Sequence, residues 1–79
     1  MNASLNRAQT WFTELEIKTE ERNNYPSAGQ TCLAVNRGDI DNFLGVDYES
    51  LVNELRISLG TNKFSLIGKD LEWLYIDTF

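Results

Sequence analysis

Side chains that could carry out chemistry are unevenly supplied in this sequence of 79 residues. It contains 12 acidic residues and a single cysteine, Cys32, but no histidine. Histidine is the commonest general base and metal ligand, and a serine or cysteine nucleophile usually needs it as a partner. Cys32 lies within an apolar run, which favours a small buried residue over a reactive thiol. The sequence therefore predicts a protein that is not an enzyme, has no cofactor and holds no zinc cluster.

An acidic segment from Asp39 to Asp47 has the composition of a calcium-binding loop but not its spacing. Counted from Asp39, the sixth residue is Leu44, where the sharp turn needs glycine. The twelfth residue is Ser50, where a glutamate would bind the ion with both oxygens. We therefore interpret these aspartates as turn and cap residues and expect no metal site.

The charge balance limits the partners that the chain can have. A net charge of −5 at pH 7 argues against direct nucleic-acid binding and against docking on anionic membranes. The same charge suits a protein partner with a basic surface, including one that normally holds DNA or RNA. Neither a secretory leader nor a membrane-spanning apolar run is visible, so we expect a cytoplasmic protein. The 42% hydrophobic content suits one small core, which predicts a single compact domain over residues 1–79.

The strongest structural signal is a helix over residues 47–59. Asp47 is a favourable N-cap, and Glu49 suits the positive end of the helix dipole. Apolar residues at steps of three and four share one face: Tyr48, Leu51, Val52, Leu55 and Leu59. Gly60 follows, where a left-handed residue often ends a helix. Ile57 falls opposite this face, so it either packs under a neighbouring element or belongs to a partner-binding surface.

A first helix is predicted over about residues 4–22. Apolar residues keep helical spacing through its first half, and Glu14 and Lys18 form a favourable pair one turn apart. From Glu14 onward, however, Leu15 and Ile17 alternate with charged residues, as in a half-buried strand. The alternative is a shorter helix followed by a strand from about Leu15. Ile17 distinguishes the two, because the long helix leaves it off the apolar face.

The remaining elements complete an α+β prediction. Residues 23–29 contain the only proline and are expected to form a loop, and residues 31–35 read as a strand. Residues 40–44 suit a helical turn. Two apolar runs around a glycine-containing turn predict a β-hairpin over about residues 63–77, with a short C-terminal helix as the competing interpretation. The predicted order is α-β-α-β-β, with a short antiparallel sheet packed against two helices.

Two groups of residues are candidates for binding a partner. The first group is acidic and lies on two segments, one with Glu14, Glu16, Glu20 and Glu21 and the other with Asp39, Asp41, Asp47 and Glu49. The candidates selected from it are Glu14, Glu20, Glu21, Asp39 and Asp41. Rigidly held carboxylates can stand in for phosphates and pair with arginines and lysines of a partner. The second group consists of surplus apolar and aromatic residues, most of which suit the core: Trp11, Tyr25, Ile57, Trp73, Tyr75 and Phe79. The candidates selected from it are Tyr25 and Phe79, which have the weakest claim to a place in the core, and Ile57, which lies off the apolar helix face. A solvated acidic surface and ordinary helix caps would produce the same acidic pattern.

We therefore expect a small, acidic, non-enzymatic module that binds a protein. In its sharper form, it inhibits a larger protein complex by occupying a basic nucleic-acid or substrate surface. Phage-encoded anti-defence proteins of the anti-CRISPR kind are the class of antagonist that this composition suits. The alternative is a regulatory or assembly subunit that pairs through its apolar C-terminal strand, either with another chain or with its own copy as a homodimer.

Overall fold

The computed structural model of the protein describes residues 1–43 and 45–79, without the side chain of Phe43. Its elements are, in chain order, α1 (Ala3–Glu14), β1 (Thr19–Asn23), β2 (Thr31–Asn36), α2 (Arg37–Phe43), α3 (Tyr48–Leu59), β3 (Phe64–Lys69) and β4 (Trp73–Thr78). The strands form one antiparallel sheet in the order β1-β2-β4-β3. The α+β prediction is confirmed, with β1 and α2 added to the expected order. Neither α1 nor any other described helix is long and apolar enough to cross a membrane.

The first helix ends at Glu14, so the predicted helix over residues 4–22 is wrong. The alternative of a shorter helix followed by a strand is correct, but the strand begins at Thr19 and not near Leu15. After Leu15, Glu16 adopts a left-handed conformation with φ 61°, and the chain reverses into β1. Ile17 is thereby buried to 2% exposure. Burying such a side chain contributes about 1.5–3 kcal/mol. A surface pair such as Glu14 and Lys18 contributes only about 0.2–0.5 kcal/mol. Burial of Ile17 therefore outweighs continuation of the helix.

The helix predicted over residues 47–59 is confirmed as α3 with its cap. The Asp47 side chain accepts a hydrogen bond from the Ser50 N–H at 2.8 Å. Gly60 ends the helix in the left-handed conformation, with φ 68°. The buried face consists of Leu51, Val52 and Leu55. Ile57 is 67% exposed, so no neighbouring element covers it.

Two hairpins build the sheet. The predicted hairpin over residues 63–77 is confirmed as β3 and β4, and the competing C-terminal helix is wrong. The predicted strand over residues 31–35 is β2, which pairs with the unpredicted β1 in a second hairpin, with Glu21 opposite Leu33. The helical turn predicted over residues 40–44 belongs to α2, although Leu44 itself lies outside the described residues.

Both faces of the sheet are apolar. The helices α1 and α3 cover one face, where Leu33, Val35, Leu74 and Ile76 join the main core. The opposite face carries a second cluster of Cys32, Ala34, Trp73 and Tyr75, against which Tyr25 and Ile67 pack. The β1–β2 loop that carries Tyr25 therefore covers the face that the helices leave open.

The C-terminal strand β4 lies in the interior of the sheet. It pairs with β2 on one side and with β3 on the other. An assembly that pairs through this strand would need a free edge, and β4 has none in this sheet. The edges of the sheet are β1 and β3.

Candidate protein-binding surface

Carboxylates on this protein are largely free of ion pairs. Over the described residues there are two salt bridges, Glu20 with Arg22 at 3.1 Å and Glu21 with the amino group of Met1 at 2.8 Å. Ten of the 12 acidic residues therefore take part in none. Ion pairs within the fold therefore leave most of the acidic charge uncompensated, although four of these ten carboxylates accept hydrogen bonds from backbone N–H groups: Asp39, Asp47, Asp70 and Asp77.

The arginines, by contrast, are engaged by the fold itself. Arg56 donates from both Nε and Nη2 to the Phe64 carbonyl, at 3.0 and 2.7 Å. Arg7 donates to the carbonyl of Leu59 at 3.1 Å. Arg37 donates to the Tyr48 hydroxyl at 2.8 Å and also to the carbonyl of Asp70. These bonds hold the positive groups against the body of the protein, while most carboxylates extend into solvent.

The five predicted acidic contacts do not form one patch. Glu20 and Glu21 are adjacent in β1 and point to opposite faces of the sheet, and each is in an ion pair. Asp39 accepts a hydrogen bond from the Lys18 N–H at 2.8 Å. Glu14 is exposed at the end of α1, and Asp41 is exposed in α2 with only a 3.4 Å contact from the Tyr48 hydroxyl. Glu14 and Asp41 are thus the predicted carboxylates that the fold leaves free.

The three predicted apolar contacts also separate. Tyr25 stacks on Tyr75 and is half-buried, so its main role is to cover the second cluster. Phe79 is 78% exposed, and its N–H donates to the Lys63 carbonyl at 3.1 Å, close to the end of α3. Ile57, near the same end of α3, is exposed as well. The strand β2 is antiparallel to β4, so it begins at the end of the sheet where Phe79 lies and leads to α2 at the other end. Ile57 and Phe79 therefore lie at the opposite end of the sheet from Asp39 and Asp41.

An open groove that local sequence patterns do not predict lies between the beginning of α3 and the strand β3. Its volume is about 610 Å³. We call it the α3–β3 groove and define it by its lining residues: Asp41, Val46, Asp47, Tyr48, Glu49, Leu66, Ile67, Gly68 and Lys69. Of these, Asp41 is one of the five candidate carboxylates, and Asp47 and Glu49 belong to the same predicted acidic segment. The caps at the start of α3 are readable in the sequence, but their position beside β3 depends on the fold.

Charge in the α3–β3 groove is predominantly negative. It has three carboxylates and one cation, Lys69. The backbone N–H and the hydroxyl of Ser50 hydrogen-bond the Asp47 carboxylate and lower its pKa, which keeps it ionised. The Lys69 ammonium lies 5.6 Å from the centre of the Tyr48 ring, and the Arg37 guanidinium lies 5.4 Å from the same centre.

The acidic segment 39–47 is built as helix and cap. Asp47 caps α3, as predicted, and Asp39 lies in the first turn of α2. Among the described residues, no three acidic or cysteine side chains form a group that could hold a metal ion. Cys32 is buried, and this burial is the main reason that its pKa is raised to about 11. Its thiol is therefore protonated at neutral pH.

No protein-family model, curated protein or solved structure matches the chain. Its function is therefore inferred from its own residues.

Proposed function

We propose that this protein is a non-enzymatic module that docks through its carboxylates onto the basic surface of a larger protein. The surface it occupies is one where that partner holds nucleic acid or substrate, so docking inhibits the partner. The supporting observation is the uneven use of charge: ten of 12 acidic residues are outside ion pairs, while arginines bond to backbone carbonyls. A cytoplasmic antagonist of the phage anti-defence class fits this proposal.

Free carboxylates suit such docking for an energetic reason. A carboxylate that is already paired within the fold must break that pair before it can bind a partner. A solvated carboxylate only gives up water, and its charge also steers a basic partner toward it from a distance. Steering of this kind weakens as salt rises, because the Debye length falls from about 30 Å at 0.01 M to about 8 Å at 0.15 M ionic strength.

The alternative of an assembly subunit has less support. It required pairing through the C-terminal strand, yet both sides of β4 are already paired. The free edges belong to β1 and β3, neither of which is the C-terminal strand on which this alternative depends. The five-residue strand β1 is short and carries Glu20, Glu21 and Arg22, and charged edge strands resist pairing with other chains.

The proposal is tested by capturing the partner from the native or host cell and measuring its affinity at several salt concentrations. We expect a partner with a basic surface whose affinity falls as salt rises. The triple variant Glu14→Gln, Glu54→Gln and Glu72→Gln removes exposed carboxylates that lie outside the α3–β3 groove. It should bind more weakly and with a shallower salt dependence.

A matched control replaces exposed neutral residues on the helices, through Asn6→Ser, Asn42→Ser and Asn53→Ser. It should leave both the affinity and the salt dependence unchanged. Exposed substitutions of this kind change stability by less than about 0.5 kcal/mol, so both triple variants should remain folded. A wild-type affinity that does not respond to salt, or a captured partner without a basic surface, would overturn the proposal.

A further inference from the structure

We propose that the α3–β3 groove is the docking site for an extended basic segment of the protein partner, which adds as a strand to the outer edge of β3. This inference rests on the proposed function and identifies the part of the surface that selects the partner. It commits to one occupant, a segment in which cationic and apolar side chains alternate.

The shape of the site comes from the sheet. As an edge strand, β3 has backbone N–H and C=O groups on its outer side that no neighbouring strand pairs. Extended segments commonly bind proteins by adding to such an edge, where the backbone bonds supply affinity and side-chain pockets supply specificity. The groove beside β3 offers apolar surface from Val46, Leu66 and Ile67 for alternate side chains of the added segment.

Arg56 indicates which part of the edge is free. Its guanidinium bonds the Phe64 carbonyl, so that carbonyl points away from β4 and is already occupied. Backbone groups on one side of an antiparallel strand recur at every second residue, which makes Leu66 the next residue to face outward. Leu66 lines the groove, and a β-bulge follows it before Gly68. The available edge therefore begins at Leu66, directly beside the groove.

Charge selects the kind of segment. Asp41, Asp47 and Glu49 line the groove together with one cation, Lys69, while the Arg37 guanidinium is held beside it by its bond to the Tyr48 hydroxyl. Lys69 takes part in no salt bridge in the described structure, and its ammonium lies over the Tyr48 ring. The Lys69 ammonium thus lies in a position that would suit a cationic side chain of the partner. An incoming lysine or arginine would pair with the carboxylates and displace it.

Isotope-labelled protein titrated with synthetic peptides, followed by backbone amide NMR, tests this site directly. The probe is a short capped peptide of alternating Lys and Val, compared with Lys–Ser and Glu–Val peptides of equal length. We expect the Lys–Val peptide to shift amides of residues 46–49 and 66–69. The Lys–Ser peptide should bind roughly tenfold more weakly because it lacks apolar side chains, and the Glu–Val peptide should not bind. Shifts spread over the whole acidic surface, or equal binding of Lys–Val and Lys–Ser, would overturn the proposal.

Strand addition is tested without altering the protein. A Lys–Val peptide with methylated backbone nitrogens at alternate positions keeps its side chains but cannot form a β-ladder on that edge. It should bind at least tenfold more weakly than the unmodified peptide when the methyl groups face β3. Equal binding of the two peptides would rule out strand addition.

Variants of the groove test its charge in both directions. Lys69→Met should tighten Lys–Val binding several-fold, because it removes the competing cation. The double variant Asp41→Asn and Glu49→Gln should weaken that binding about tenfold. Asn53→Ser, at an exposed position on the same helix but outside the groove, is the control and should have no effect. Weaker binding by Lys69→Met would contradict the role assigned to this lysine.

Failure of this inference can be told apart from failure of the proposed function. If the peptides do not bind but capture of the partner still weakens with salt and with the Glu14, Glu54 and Glu72 variant, only the groove is wrong. If the captured partner responds to neither salt nor charge, both proposals are wrong.

Discussion

The ring of Tyr25 lies on the ring of Tyr75, with centroids 4.2 Å apart and planes inclined by 29°. Tyr25 comes from the β1–β2 loop and Tyr75 from the central strand β4, so this contact joins a loop to the middle of the sheet. The Tyr25 side chain continues across to β3, where a Cβ added to Gly68 would lie 3.0 Å from its hydroxyl oxygen. Glycine at position 68 therefore leaves the space that the Tyr25 hydroxyl needs.

This fit predicts coupling between the two positions. Gly68→Ala should lower the free energy of unfolding by about 1 kcal/mol, at the lower end of overpacking costs. The cost should be smaller in a Tyr25→Phe background, because the crowding oxygen is gone. Urea unfolding of the wild type, both single variants and the double variant measures the coupling. The same cost in both backgrounds would contradict this account.

The turn between β3 and β4 predicts a specific dependence of stability on acid. The Asp70 carboxylate accepts hydrogen bonds from the Tyr75 hydroxyl and from the N–H groups of Glu72 and Trp73. These bonds, with that from Tyr75 the largest contribution, lower the pKa of Asp70. A lowered folded-state pKa means that the stabilisation is present above the unfolded-state value, about 3.9 for aspartate, and is lost as the pH falls through the folded-state value.

We therefore expect the stability difference between wild type and Asp70→Asn to be constant near neutral pH and to shrink below about pH 4. Thermal unfolding across a pH series measures this difference. Tyr75→Phe removes the main donor and should reduce the acid dependence in the same range. A difference that persists unchanged down to about pH 2 would contradict the assignment.

Cys32 should be inert in the folded protein. Its side chain is buried and its pKa is about 11, so only about one thiol in a thousand is ionised at pH 8. Iodoacetamide at that pH should label Cys32 negligibly in native conditions and completely in strong denaturant, as followed by mass spectrometry. Labelling of the native protein at the rate of the denatured chain would show that the second cluster opens readily.

Two isoleucines provide a matched test of burial. Ile17 is 2% exposed and Ile57 is 67% exposed. Ile17→Ala should cost about 2–4 kcal/mol, as expected for a buried isoleucine. Ile57→Ala should change stability by less than about 0.5 kcal/mol, as expected for a surface position. Equal costs, measured by urea unfolding, would mean that the domain packs differently around one of these residues.

Local signals in the sequence were sufficient for α3 and for the β3–β4 hairpin. Asp47 and Gly60 mark the two ends of α3, and two apolar runs around a glycine-containing segment mark the strands of the hairpin. The strand β1 has no comparable signal, since its residues, Thr19–Asn23, are all polar or charged. Its conformation depends on pairing with β2, and the end of α1 depends on burial of Ile17, neither of which is encoded locally.

The candidate surface was predictable only in part. Composition indicates an acidic exterior, but it does not say which carboxylates the fold engages. Asp39 bonds the Lys18 N–H and Glu21 pairs with Met1, partners about 20 positions away in the chain. The α3–β3 groove forms because the start of α3 lies beside β3 in the folded protein. Local spacing patterns cannot show this, because they do not say which elements are neighbours in space.

The position of β4 has a consequence for how the domain folds. Each hairpin, β1–β2 or β3–β4, joins residues close in sequence, so each can form early. The ladder between β2 and β4 joins the hairpins and pairs Leu33 with Ile76 across the whole intervening segment. Bringing the two ends of this long segment together lowers the conformational entropy of the chain before the β2–β4 contacts can compensate for the loss. Stopped-flow refolding should therefore be limited by the meeting of two preformed hairpins, and it should slow when the β2–β4 ladder is weakened.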